Sequence, residues 1–261
     1  MSESDADRKK MVAVCGKGGT GKTASTAMMA RVLSESGKAG NLLLIDADPA
    51  MGLLSALGVS VQRTMGQVRE KIIKTAQKGK EEEKAQLAYD VDYMVFEALN
   101  ELDEFAILAM GRTETLGCFC PVNNLLRGTI ETLSKNFDTI LIDGEAGLEQ
   151  LNRQIVRKLD TLIIVSDPTS RGMETAGLIK KMVEVDHVAT CKRLGLVFNR
   201  VMGNEELLTR SAEDLGLELF GLVPYDENIA SYDLVGKPIT DLPENSSGLA
   251  AYRDIVAKCI L

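Results

Sequence analysis

The sequence has no apolar run long enough to cross a bilayer. Its longest hydrophobic stretches are strand-length, whereas a spanning helix needs about 20 residues. No secretory leader is visible, and residues 1–10, ending Asp-Arg-Lys-Lys, are polar and read as a loose tail. The terminal Cys-Ile-Leu sets the cysteine one position too late for a prenylation box. These absences point to a cytoplasmic chain without stable membrane association. Positive charge is short as well. The 30 Lys and Arg against 38 Asp and Glu give a net charge of −8, which argues against nucleic acid as a partner bound through bulk charge. The one histidine, His187, sits in a polar stretch and reads as a surface residue. Five cysteines is an odd number, and in a chain of this kind they form no disulfide framework. Cys15, Cys191 and Cys259 stand singly in apolar or helical surroundings, as core or near-core thiols do. Cys118 and Cys120 form a pair. Internal repeats and dividing linkers are absent.

What is present is enough for one domain. The 261 residues are 45% hydrophobic and 26% charged, sufficient for a large core spanning residues 11–261. Strand-like runs recur at Met11–Cys15, Asn41–Asp46, Phe105–Met110, Thr139–Asp143, Thr161–Asp167, Leu194–Asn199 and Leu219–Pro224. Several are continuously apolar, as strands buried on both faces are. Helix-length segments between them predict an α/β fold: a doubly wound, mostly parallel sheet with helices on both faces. Residues 60–100 depart from the pattern. They hold a charged helical stretch that includes Lys78-Gly-Lys-Glu-Glu-Glu-Lys84, a run read as a solvated face or a flexible excursion rather than a binding site.

Residues 16–23 read Gly-Lys-Gly-Gly-Thr-Gly-Lys-Thr, the phosphate-loop pattern of a P-loop NTPase. Gly16, Gly18, Gly19 and Gly21 let backbone N–H groups turn toward phosphate oxygens. Lys22 can reach the β- and γ-phosphates, and the Thr23 hydroxyl can ligate Mg2+. An apolar strand precedes the loop, and a helix predicted over 22–36 follows it and stops at Gly37. That order presents a helix N-terminus to an anion. Lys17 has no role in this minimal scheme. After the second strand comes Asp46-Ala-Asp48-Pro49, where one carboxylate can serve Mg2+ and the other can orient a water. Asp143 ends another apolar run, at a second acidic position of such sites. Asn199-Arg200 follows the sixth strand, with an amide that can read an adenine edge. Pro224-Tyr225-Asp226 ends the seventh and can wall the same pocket.

Together these motifs resemble the MinD/ParA/nitrogenase-iron-protein group of deviant Walker A ATPases over nearly the whole chain. The resemblance implies an ATP- and Mg2+-binding homodimer closed face to face around nucleotide. Lys17 then reaches the partner's phosphates and Asp48 positions water, both as catalytic residues. Thr23, Asp46 and Asp143 serve Mg2+, while Thr20 and Ala24 complete the loop. Two departures stand out: Ala24 where relatives often carry Thr, and Thr20 in a slot that is often aliphatic.

Residues 110–128 add Met110-Gly-Arg112, Cys118-Phe-Cys120 and Asn123-Asn-Leu-Leu-Arg127. This resembles the carbon monoxide dehydrogenase accessory ATPases, which implies nickel insertion into a carbon monoxide dehydrogenase or acetyl-CoA synthase client. Two thiols at this spacing reach one soft metal. Two copies supply four thiolates, which suit Ni2+, Zn2+ or an iron–sulfur cluster. The cluster alternative makes the protein an ATP-driven reductase. A third reading is a spatial regulator that binds membrane or DNA.

Overall fold

The computed structural model describes residues 9–78, 80, 90–112, 120–144 and 158–261. Cys118 lies outside these residues. Cys120 opens a helix, but its side chain is not described. The described residues contain eight strands in one sheet: β1 (Lys10–Cys15), β2 (Leu42–Asp46), β3 (Leu99–Glu101), β4 (Ala106–Ala109), β5 (Thr139–Asp143), β6 (Lys158–Ser166), β7 (Thr190–Val201) and β8 (Glu218–Pro224). Their order is β3-β4-β2-β5-β1-β6-β7-β8. Only the β3–β4 pairing is antiparallel.

Every residue of β2, β4 and β5 is buried, which is why these strands appear as unbroken apolar runs. The main helices are α1 (Lys22–Ser36), α2 (Gly52–Leu57), α3 (Met65–Lys78), α4 (Cys120–Ser134), α5 (Ser170–Glu184), α6 (Glu205–Asp214), α7 (Glu227–Val235) and α8 (Ser247–Cys259). One apolar cluster joins α3, α4, α5 and α6 to one face of the sheet. The other joins α1, α2 and α8 to the opposite face. Successive β1 residues alternate between the two, with Ala13 and Cys15 in the first and Val12 and Val14 in the second. The doubly wound sheet expected from the sequence is therefore the fold.

β1 lies between β5 and β6. From β1 the chain crosses to β2 on one side, and from β5 it crosses to β6 on the other. That reversal opens a crevice at the carboxyl ends of the strands, where ligands bind in this architecture. Register then brings specific side chains to the crevice. Asp46 and Asp143 are direct neighbours at the ends of β2 and β5.

The helix following the loop runs over the predicted residues and closes at Gly37, whose φ of 62° is left-handed. The strand β3 was not expected. It is three residues long and antiparallel, too short to carry a period, and it begins at the end of the stretch read as charged and helical. Among the described residues, no helix is long and apolar enough to cross a membrane.

Candidate functional site

The loop 16–21 turns the chain at the centre of the sheet, and its glycines are set by close approach. Gly16 has φ 140°, and a Cβ there would lie 2.1 Å from the Val165 carbonyl oxygen. Gly21 has φ 91°, and a Cβ would lie 2.4 Å from Asn199 Nδ2. Because Gly21 caps α1 without a side chain, the first N–H groups of the helix have no side-chain acceptor at that cap. Lys22 Nζ donates to the Lys17 carbonyl at 3.2 Å, and Thr20 Oγ1 donates to the same oxygen at 2.9 Å. These groups give an anion cradle of N–H donors with an ammonium inside it.

The acidic side of the site is built on strand ends. Asp46 is fully buried and accepts from the N–H of Asp48 at 3.2 Å and of Leu53 at 3.1 Å. Asp143 accepts from Thr23 Oγ1 at 2.8 Å and from Thr26 Oγ1 at 3.0 Å. Thr26 is a functional neighbour the motif did not reveal, although it lies one helical turn beyond Thr23 on the same face. Burial, joined by the charge of Asp143, pushes the Asp46 carboxyl up to about 7 against its backbone hydrogen bonds. Burial pushes Asp143 up to about 6, although the Thr23 and Thr26 hydroxyls and Lys22 pull the other way. Two adjacent desolvated carboxylates with a hydroxyl beside them make a hard-oxygen donor set that fits Mg2+. Asp48 stands further out, its Oδ1 accepting from Ala50 N at 2.8 Å, and it lines the cleft.

Lys17 is partly exposed and extends to within 4.0 Å of Asp167 Oδ2 at the end of β6. Asp167 is itself held by Thr169 Oγ1 at 2.8 Å. The Ser-Asp-Pro sequence at that strand end was a readable signal for it, of the same kind as Asp46 and Asp143.

From the loop, a cleft of about 740 Å³ runs past Ala24 and Asp48 to Pro224, Asp226 and the inner side of α7. The β7–β8 register slips between Phe198 and Val201, and Arg200 takes a left-handed φ of 59°. This bulge re-aims Asn199 into the loop. Its Nδ2 donates to the Thr20 carbonyl at 2.8 Å, and its Oδ1 accepts from Arg200 N at 3.0 Å. Arg200 also donates to the Gly19 carbonyl at 3.2 Å. Both residues thus border the cleft while bracing its phosphate end. One amide proton of Asn199 goes to the loop, and one remains for a ligand.

Asp226 caps α7 through Asn228 N at 2.8 Å and also accepts from Ser246 Oγ at 2.7 Å and Gly248 N at 3.0 Å. Burial raises its pKa, but the Gly248 N–H and these other donors outweigh it and hold the carboxyl down at about 2. Its role in the structure is to join the starts of α7 and α8. Thus the loop, acidic and cleft residues expected from the sequence converge on one crevice. Cys118 and Cys120 cannot be placed in it from the described residues.

The chain matches the CobQ/CobB/MinD/ParA nucleotide binding domain over residues 11–239. It is 40% identical over 254 residues to an uncharacterized ATP-binding protein of Methanocaldococcus jannaschii, covering 96% of this chain and 98% of that one. It is 29% identical over 242 residues to the carbon monoxide dehydrogenase accessory protein CooC of Rhodospirillum rubrum, covering 88% and 89%. Among solved structures, the septum site-determining protein MinD of Pyrococcus horikoshii, complexed with Mg-ADP, superposes with a TM-score of 0.67 at 21% identity. That match covers 95% of this chain and 94% of that one. A phosphate loop at the sheet's switch point, an acidic pair beside it and a family match across most of the chain lead to one assignment: the chain belongs to the CobQ/CobB/MinD/ParA family and is a P-loop ATPase of the MinD/ParA type.

Proposed function

We propose that this ATPase loads a soft metal ion, Ni2+ in the first instance, into a carbon monoxide dehydrogenase or acetyl-CoA synthase type enzyme. The observation that carries the reading is the Cys118/Cys120 pair in its setting. The pair lies between Met110-Gly-Arg112 and Asn123–Arg127, an arrangement that resembles the accessory ATPases. The strand that leads into it ends beside the acidic pair: Met110 N donates to the Asp46 carbonyl at 2.8 Å, and the Met110 carbonyl accepts from Gly66 N at 2.7 Å. A shift of Asp46 on binding Mg2+ would therefore be felt at the root of the cysteine segment and at the start of α3. The similarity to CooC supports the same reading.

In this account the loop N–H groups and Lys22 hold the phosphates, and Thr23, Asp46 and Asp143 serve Mg2+. Asp48 orients the attacking water. Lys17 leaves Asp167 and neutralises charge across a homodimer. Dimer closure brings two cysteine pairs together into one four-thiolate site, with the metal as cargo. Hydrolysis relaxes the dimer and releases the ion to the client.

Cys118→Ser and Cys120→Ser should each abolish tight Ni2+ and Zn2+ binding in a competition assay while thermal stability stays unchanged. Undiminished metal stoichiometry in both variants would end the metal reading. An iron–sulfur spectrum after anaerobic purification would replace it with the reductase. ATP-dependent pelleting with liposomes or plasmid would replace it with a spatial regulator.

A further inference from the structure

Helix α3 carries a charge pattern that the nucleotide site does not use. Lys71, Lys74 and Lys78 are all exposed. At about 100° per residue they fall within about 60° of arc, opposite the buried Met65, Val68, Ile72 and Ile73. They span about 10 Å along the helix axis. Arg112, also exposed, faces the same side and shares with Lys71, Lys74, Gln67 and Thr75 a groove of about 420 Å³. The one acid among the described residues lining that groove, Glu70, pairs with Arg69 at 3.5 Å. Among the described residues, no carboxylate pairs with Lys71, Lys74, Lys78 or Arg112. Some cations elsewhere on the surface are matched, while others, such as Lys38 and Lys135, are scattered singly. Lys180 pairs with Glu184, Lys192 with Asp160, Arg193 with Glu218, and Arg31 and Arg253 with Glu35 and Glu244.

Three lysines in one file and Arg112 beside them, none with a carboxylate partner among the described residues, lie at or beside one groove on a chain of net charge −8. We infer that this face docks a carboxylate-rich segment of a partner protein. The elongated shape suits a peptide that offers several carboxylates in a row better than one compact phosphate group. The overall negative charge opposes an extended polyanion such as nucleic acid or an anionic bilayer, whose charges reach well past one helix face. Docking here would set the partner against Arg112, at the root of the segment that carries Cys118 and Cys120. The inference borrows from the metal-delivery reading only the identity of the partner as a client. The docking face itself stands without the cysteines.

The test uses the full chain and fluorescence anisotropy at low ionic strength. The probes are a labelled glutamate-rich peptide, its glutamine counterpart, a single-stranded DNA oligonucleotide and phosphatidylserine vesicles. Lys71→Glu/Lys74→Glu should weaken glutamate-peptide binding about tenfold or more, and Arg112→Glu should weaken it in the same sense. Lys38→Glu/Lys135→Glu, which changes net charge equally at two other exposed lysines, should leave binding within about twofold. ATP hydrolysis and circular dichroism should be unchanged in all of these variants. The inference is overturned if no glutamate peptide binds, if the glutamine peptide binds as well, or if the two double variants weaken binding equally. Tighter binding of the oligonucleotide or the vesicles through the same lysines would also overturn it. None of these outcomes depends on metal binding, so failure here and failure of the metal reading are separable.

Discussion

Replacing Asp46 by Asn should flatten the pH dependence of stability in the nucleotide-free protein. The Asp46 carboxyl is fully buried, lies beside Asp143 and is raised to about 7 from an ordinary value of 3.8. A raised pKa means that the folded state holds a proton the unfolded chain has released. The stability this group allows is complete below the unfolded pKa and is lost as pH rises through the folded one. Between pH 5 and 8 the loss amounts to about 2–3 kcal/mol, at 1.36 kcal/mol per unit. In a chain of this size that corresponds to a fall in Tm of about 5 °C or more. The assay is thermal unfolding by circular dichroism in EDTA at pH 5, 6, 7 and 8. The wild-type chain should lose stability across the series, and Asp46→Asn should lose markedly less. Mg2+ with ATP should offset the wild-type loss, because Mg2+ takes the deprotonated pair. An unchanged slope in Asp46→Asn, or wild-type stability that rises with pH, would refute the reasoning.

The other outcomes concern the two ends of the cleft. Asp226→Ala removes a carboxylate held at about 2 by donors from two helix starts. It should cost about 2–3 kcal/mol at neutral pH, with weaker nucleotide binding, measured by urea denaturation and titration calorimetry. In the wild type that contribution should be present above about pH 4 and fade as pH falls toward 2. Lys17→Ala should lower ATP hydrolysis about a hundredfold or more while nucleotide affinity changes far less. Equal hydrolysis rates would remove the cross-dimer role.

Much of the fold was legible because its signals are local. Continuous burial made β2, β4 and β5 unbroken apolar runs, and Gly21 and Gly37 marked both ends of α1. The same locality limited what could be read. Strands β6 and β7 begin at Lys158 and Thr190, earlier than their apolar runs, because exposed residues such as Lys158 and Thr190 continue the pairing. β3 takes its pairing from β4 and shows no pattern of its own. In the site, residue types and their placement at strand ends were readable, since each motif follows a buried run. Their partners were not. Thr26 on Asp143, Asp167 beside Lys17, Arg200 on Gly19 and the bond from Gly248 to Asp226 all join positions far apart in sequence. The bulge that turns Asn199 inward depends on how β7 meets β8, which no single segment encodes.

The central claim is that nucleotide and metal stabilise one and the same dimer, so each must tighten the other. The measurement that tests this most directly is a Ni2+ or Zn2+ titration with and without non-hydrolysed ATP, with mass followed by light scattering at each point. The account predicts about one tightly bound ion per dimer through four thiolates, with affinity about tenfold or more higher when nucleotide is present. It also predicts conversion of monomer to dimer as metal is added. Metal affinity indifferent to nucleotide, or tight binding to a chain that stays monomeric, would contradict it.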